Sequence, residues 1–227
     1  MNLHYLNTFK EKLKYLCKKN MELFIYLFAA LFSVLNPIGT VPIFVGLTQG
    51  YTMAERSKVS LLTSFNVFVI LIISFFIGQY VLQFFGITIT ALRIAGGIII
   101  TSSGFGLLNG NFSKNKGINK KVQKDVENRH DIALTPLAMP MLAGPGSISL
   151  LIAFYQDHNN TNEIIISSIA ILVVAATIYL ILRSAHYLAN ILGASGIVAI
   201  SRIIGFLTIA IGIQYIISAI LSIIREI

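Results

Sequence analysis

The sequence predicts an all-α polytopic membrane protein: about six transmembrane helices in two inverted three-helix repeats, with the first and fourth helices broken. Three observations predict it. The 227-residue chain is 56% hydrophobic and only 11% charged, whereas a soluble domain carries about 25% charged residues. Its apolar residues gather into six segments, roughly 21–47, 58–85, 90–108, 132–156, 164–188 and 201–224. Each can cross a hydrocarbon core of ~30 Å at ~1.5 Å per residue. Features of the first three segments return in the last three at a near-constant offset.

Residues 1–20 form a basic extension holding Lys10, Lys12, Lys14, Lys18 and Lys19. A basic start before an apolar run is also how a signal peptide begins. Here the run continues to Leu47 with no small-residue cleavage site after a short stretch, so it reads as a retained first span. That span is interrupted by "LNPIGTVPIF", 35–44. A polar turn with Glu55 precedes the second span, "FFGIT" links it to the third, and the third opens on "LRIAGG". Residues 109–131 form a basic central loop with Lys114, Lys116, Lys120, Lys121, Lys124 and Arg129. The fourth span is interrupted by "GPGSI", 144–148. A polar turn with Glu163 precedes the fifth, and the sixth opens on "SRIIGF". Arg202 follows Arg93 by 109 residues, Glu163 follows Glu55 by 108, and Pro145 follows Pro37 by 108. Pairing Pro37 and Pro42 with Pro140 and Pro145 gives a competing offset of 103. The organisation is a first repeat, 21–108, and a second, 132–227, joined by the loop. A three-span unit reverses direction when repeated, which makes the repeats inverted.

Orientation follows from the positive-inside rule, which places the central loop in the cytoplasm. Six crossings then put both termini outside, against the N-terminal lysines. Re-entrant hairpins at the first and fourth segments bring the N-terminus inside, but they make the repeats parallel and turn the acidic 157–163 loop inward. Six crossings is the favoured reading.

The net charge of +8 does not point to nucleic acid. The Lys and Arg lie at the edges of apolar segments, where they set topology and contact anionic lipid headgroups. A single Cys17 excludes an intrachain disulfide framework. All nine Asp and Glu sit at segment ends or in loops, which argues against a proton relay and for a neutral or zwitterionic substrate. Arg93 and Arg202 read as snorkelling anchors, and Thr63, Asn66 and Thr177 as hydrogen-bonding partners between helices. No nucleophile–base set, phosphate loop or metal-ligand cluster is visible, so the reading is a non-enzyme with no cofactor.

The two breaks carry the chemistry. Proline inside a helix removes a hydrogen bond, and lipid offers no water to repair it. Such backbone is tolerated where protein or a water-filled cavity surrounds it. A break in each half therefore marks a candidate binding site. A half-helix starting after each break, capped by Thr40 with Pro42 in its first turn or by Ser147, offers free N–H groups and a positive dipole end to a carboxylate. Asn36, Ser33, Ser149 and exposed carbonyls suit an ammonium or hydroxyl. The candidate substrate residues are Ser33, Asn36, Pro37, Gly39, Thr40 and Pro42 with Pro140, Gly144, Pro145, Gly146, Ser147 and Ser149. The plain alternative is a pair of packing kinks; two breaks with polar neighbours at matching places favour a site.

"FSVLNPIGTVPIF", "ALRIAGGIIITSSGFGLL" and "TPLAMPMLAGPGSIS" together resemble the MarC family of bacterial inner-membrane proteins, over nearly the whole chain from Met21. The resemblance implies six spans, and marks Asn36, Pro37, Gly39, Pro42, Pro140, Ala143, Gly144, Pro145 and Gly146 as motif positions without giving each a role. The family's name refers to multiple antibiotic resistance, and some relatives are described as transporters of small neutral amino acids. The basic extension and the long central loop depart from the pattern. The expectation is a secondary transporter of a small neutral amino acid or similar small molecule. Its other partners are membrane lipids, and a homo-oligomer is left open. A non-transporting membrane protein that scaffolds or regulates a complex is the alternative.

Overall fold

The computed structural model describes residues 3–109 and 132–226, with side chains over 18–109 and 132–225. The central loop and the side chains of Lys10, Lys12 and Lys14 lie outside the described residues. The elements are α1 (Leu3–Leu35), α2 (Pro37–Leu47), α3 (Met53–Phe84), α4 (Ile89–Leu108), an irregular π-type segment (Ala133–Leu142), α5 (Pro145–Asp157), α6 (Thr161–Arg183) and α7 (Ala185–Glu226). Among the described residues, α3, α4, α6 and α7 are each long and apolar enough to cross a membrane, and two bent pairs bring the total to six if each pair is one span. These are α1 from Lys18 with α2, at 40°, and the irregular segment with α5, at 63°. The fold is all-α and polytopic.

Several boundaries differ from the apolar pattern. α3 starts at Met53 because Thr52 and Glu55 form a capping box: Thr52 N donates to Glu55 Oε2 at 2.7 Å, and Glu55 N to Thr52 Oγ1 at 3.3 Å. α6 ends at Arg183, short of the expected 188. α7 begins at Ala185, well before 201, and bends at Gly193, whose φ of +61° is readily adopted only by glycine. The fourth span was expected to be helical from 132. Instead Thr135 and Met139 take non-helical backbone angles. Each precedes a proline, whose ring pushes the preceding residue out of the helical region.

An offset of 108 aligns the two halves. α2 and α5 start at Pro37 and Pro145, and α3 and α6 at Met53 and Thr161. The competing offset of 103 aligns neither pair. The packing obeys the same relation. α1 packs on α6 as the irregular segment packs on α3, α2 on α7 as α5 on α4, and α3 on α5 as α2 on α6. At the α4–α7 crossing, Gly97 meets Gly212 while Gly104 meets Gly205. Gly205 is the repeat equivalent of Gly97, and Gly212 of Gly104. An interface in which i meets j′ and j meets i′ is what a two-fold axis generates. A Cβ on Gly97 or Gly104 would lie 2.7 Å from the carbonyl oxygen of Gly212 or Gly205. Glycine is therefore what permits this approach of antiparallel helices.

The broken elements form the middle of the bundle. Leu27, Leu31, Leu35, Phe44 and Leu151 are fully buried, and α5 is buried at nearly every position from Gly146 to Phe154. The outer faces of α3, α6 and α7 expose Phe65, Tyr80, Leu172 and Phe206, as a lipid-facing wall should.

The first bent pair is a broken span. Lys19 Nζ lies 3.2 Å from Glu163 at the start of α6. Phe44 in α2 stacks edge-on against His186, just past the end of α6, with centroids 6.5 Å apart. α1 and α2 together thus cover the whole length of a spanning helix, which a hairpin would not. We call the end holding Lys19, Asp157 and Glu163 the acidic end. The opposite, basic end holds Arg56, Lys58 and Arg183, and the central loop departs from it. At the acidic end Lys18 lies 3.9 Å from Glu22, so two of the N-terminal lysines that oppose this topology have acidic partners.

Candidate functional site

Pro37 lacks an N–H, so the carbonyl of Ser33, four residues back, loses its helical donor. Thr208 of α7 replaces it: Thr208 Oγ1 donates to Ser33 O at 3.0 Å, and also to its own Ile204 O at 2.8 Å. The same proline pushes Asn36 out of the right-handed region. Asn36 adopts φ +43°, a region that Asn tolerates better than most residues. From there its side chain caps α2, with Gly39 N donating to Asn36 Oδ1 at 3.2 Å, and Thr40 Oγ1 donates to Asn36 O at 3.3 Å. This corrects the expected cap: Asn36 closes the helix start, while Thr40 is in its first turn and Pro42 in its interior.

The Asn36 amide nitrogen has no partner. The residue is 1% exposed, and Nδ2 is buried without a hydrogen bond. A buried donor left unpaired costs about 1–3 kcal/mol. Gly39 is what admits the amide, because a Cβ there would overlap Nδ2 and lie 3.2 Å from Ser201 Oγ.

The second break is built differently. Gly144 is the N-cap residue of α5, in extended conformation with no side-chain cap, and Pro145 is the first helical residue. Ser147, expected as a cap, lies inside the first turn, and its Oγ donates to Gly144 O at 2.9 Å. Gly146 faces the other repeat: a Cβ there would lie 3.0 Å from Ile100 Cγ1 and 3.6 Å from Val34 Cγ1. Val34 is two residues from Asn36, so the breaks adjoin. Ser149 packs against Gly96, whose Cβ would lie 3.1 Å from Ser149 Oγ. Tyr215 of α7 donates to Leu150 O at 3.2 Å.

Of the expected residues, Ser33, Asn36, Pro37, Gly39 and Thr40 gather at the first break, and Gly146, Ser147 and Ser149 are buried in α5 beside it. Gly144 is half-buried, and Pro42, Pro140 and Pro145 are exposed; these prolines shape backbone and do not line the buried core. Thr208, Ser201 and Gly96 were not expected. The lost donor at Pro37 signals that some hydroxyl must serve Ser33, but nothing local says which. Arg93, read as a snorkelling anchor, is bonded to Asp157. Thr177 bonds to Val173 O in its own helix at 2.8 Å, not to a neighbouring helix. Among the described residues no cluster of three metal-ligating side chains occurs.

The chain matches the family model described as MarC family integral membrane protein over residues 21–224. It is 39% identical over 196 residues to a UPF0056 membrane protein of Buchnera aphidicola subsp. Schizaphis graminum, covering 86% of this chain and 90% of the relative. It is 36% identical over 193 residues to the UPF0056 membrane protein YhcE of Escherichia coli K12, covering 85% and 89%. It is 37% identical over 207 residues to the UPF0056 inner membrane protein MarC of Escherichia coli SMS-3-5, covering 86% and 92%. No solved structure matches. With helices broken where the motif prolines fall, and a family match that spans both repeats, the chain belongs to the MarC family of integral membrane proteins.

Proposed function

We propose that the chain is a multi-pass inner-membrane transporter of small neutral amino acids, or of a similar small zwitterion. It works by alternating access, with one site between the two breaks. The observation that carries this reading is the unpartnered Asn36 amide nitrogen, buried in mid-bundle at the start of α2. The start of a helix carries roughly half a positive elementary charge and N–H groups without helical partners. A substrate carboxylate there accepts from Asn36 Nδ2 and gains from the dipole. Asn36 Oδ1 is committed to Gly39 N, so the ammonium falls to carbonyl oxygens and hydroxyls, among them Ser147 in the first turn after the second break. Gly39 and Gly146 are closely packed, by Asn36 and by Ile100, so this reading restricts the substrate to a small one. In this reading the buried Ser33, Thr40, Ser147 and Ser149 belong to an occluded site, to which access needs one group of helices to move against the other.

The test is uptake of a labelled panel of amino acids by proteoliposomes, with and without proton and sodium gradients. The expected result is gradient-dependent uptake of the smallest neutral members. No uptake of any member would favour a scaffolding or regulatory membrane protein.

A further inference from the structure

The outer wall carries a second site, independent of the transport reading. An open, largely apolar groove of about 430 Å³ runs between α3 and α6, lined by Leu61, Ser64, Phe65, Leu172, Ala176 and Tyr179 among others. Its basic end is ringed by cations. Lys58 precedes Leu61 and Phe65 by three and seven residues, on one helix face, and is exposed. Arg183 follows Tyr179 by one turn and is also exposed. Arg183 Nη1 donates to Tyr179 Oη at 2.8 Å, and the guanidinium carbon lies 5.7 Å from the ring centre. Tyr179 therefore joins the apolar groove to its charged rim, at the place where interfacial tyrosines sit in membranes.

These cations lack acidic partners. Among the described residues the ion pairs are Lys18–Glu22, Lys19–Glu163 and Arg93–Asp157, all at the acidic end. Glu55, three residues from Lys58, is engaged by Thr52. A further polar atom is left over: Ser64 Oγ, in the groove wall, is buried with no partner. It lies six residues from Lys58, roughly 9 Å along the helix, at the depth where a lipid's ester carbonyls sit below its phosphate.

We propose that this groove binds an anionic phospholipid. One acyl chain lies along Leu61, Phe65, Leu172 and Ala176, and the phosphate rests on Arg183 and Lys58. A zwitterionic lipid brings the same phosphate together with an ammonium that these cations repel.

The test is native mass spectrometry of the full-length protein in detergent, titrated with phosphatidylglycerol or with phosphatidylcholine of the same chains. Wild type is expected to retain phosphatidylglycerol at a roughly tenfold lower concentration. In a protein with Lys58→Gln and Arg183→Gln the preference falls to about parity. Ala176→Phe fills the groove but keeps both cations, and weakens both lipids. Equal binding of the two lipids by wild type, or a full preference in the double variant, overturns the proposal. Unchanged retention in Ala176→Phe, or displacement of phosphatidylglycerol by inorganic phosphate, reduces the site to surface charge and overturns it as well. Should the double variant not be monodisperse, the wild-type and Ala176→Phe titrations still decide.

Discussion

At the first break a continuous helix runs to Leu35, turns through Asn36 in the left-handed region and restarts at Pro37. At the second, the chain arrives through an irregular segment, passes Gly144 in extended conformation and restarts at Pro145. The two places are equivalent under the repeat, and the same rule, proline excluding the preceding residue from the helical region, produces both. The difference lies in what that residue does. Asn36 caps its helix and holds out an unpaired amide; Gly144 has no side chain to do either. The two halves thus break at equivalent places, and their side chains differ there. The first holds a buried unpaired amide, and the second a serine hydroxyl bonded to Gly144 O.

The comparison fails outright if either break is a hairpin. Cysteines placed at Asn119 and Asn160 should label from opposite sides of the membrane, with Asn119 cytoplasmic; labelling of both from one side would remove the broken spans. The next largest effect is expected at Gly39. Gly39→Val forces a side chain onto Asn36 Nδ2 and should abolish uptake in protein that still inserts. Gly146→Val meets aliphatic side chains at 3.0 Å or more and should be the milder of the two. A reversed order would assign recognition to the second break.

Much of this architecture was legible in the sequence. Apolar length and the Pro/Gly interruptions gave the spans and the breaks, because both are local properties of a chain in lipid. The offset of 108 was visible from the Arg, Glu and Pro pairs together, but the prolines also allowed 103, since prolines alone do not say which of them begins a helix. The cap was misread. Thr40 is a good capping residue by type, but Pro37 decides where the helix begins, and that assigns the cap to Asn36. The non-helical stretch at Thr135 and Met139 was signalled by the prolines that follow them. The Thr208–Ser33 bond and the Gly97–Gly212 approach join residues more than a hundred positions apart, and no local pattern encodes them.

Smaller effects separate the roles at the first break. Asn36→Ala loses both the cap and the free donor. It should leave stability nearly unchanged, because losing the cap costs about 1 kcal/mol while losing the unpaired donor offsets it, and it should weaken substrate binding by roughly 1–3 kcal/mol, measured by chemical denaturation in detergent and by the dissociation constant. Thr208→Val orphans the buried Ser33 carbonyl and should cost about 1–3 kcal/mol of stability while leaving the substrate dissociation constant within about threefold. Ser147→Ala should cost less stability than Thr208→Val, about 0.5–1.5 kcal/mol, because it removes one local hydrogen bond.

The most direct measurement of whether the two breaks hold one ligand is a double-mutant cycle on substrate affinity, using Asn36→Ala, Ser147→Ala and the pair. Two groups on the same small molecule should couple, giving a non-additivity of about 0.5–3 kcal/mol. Additivity within about 0.3 kcal/mol, with wild-type affinity in Gly39→Val, would contradict the account and leave the breaks as packing kinks.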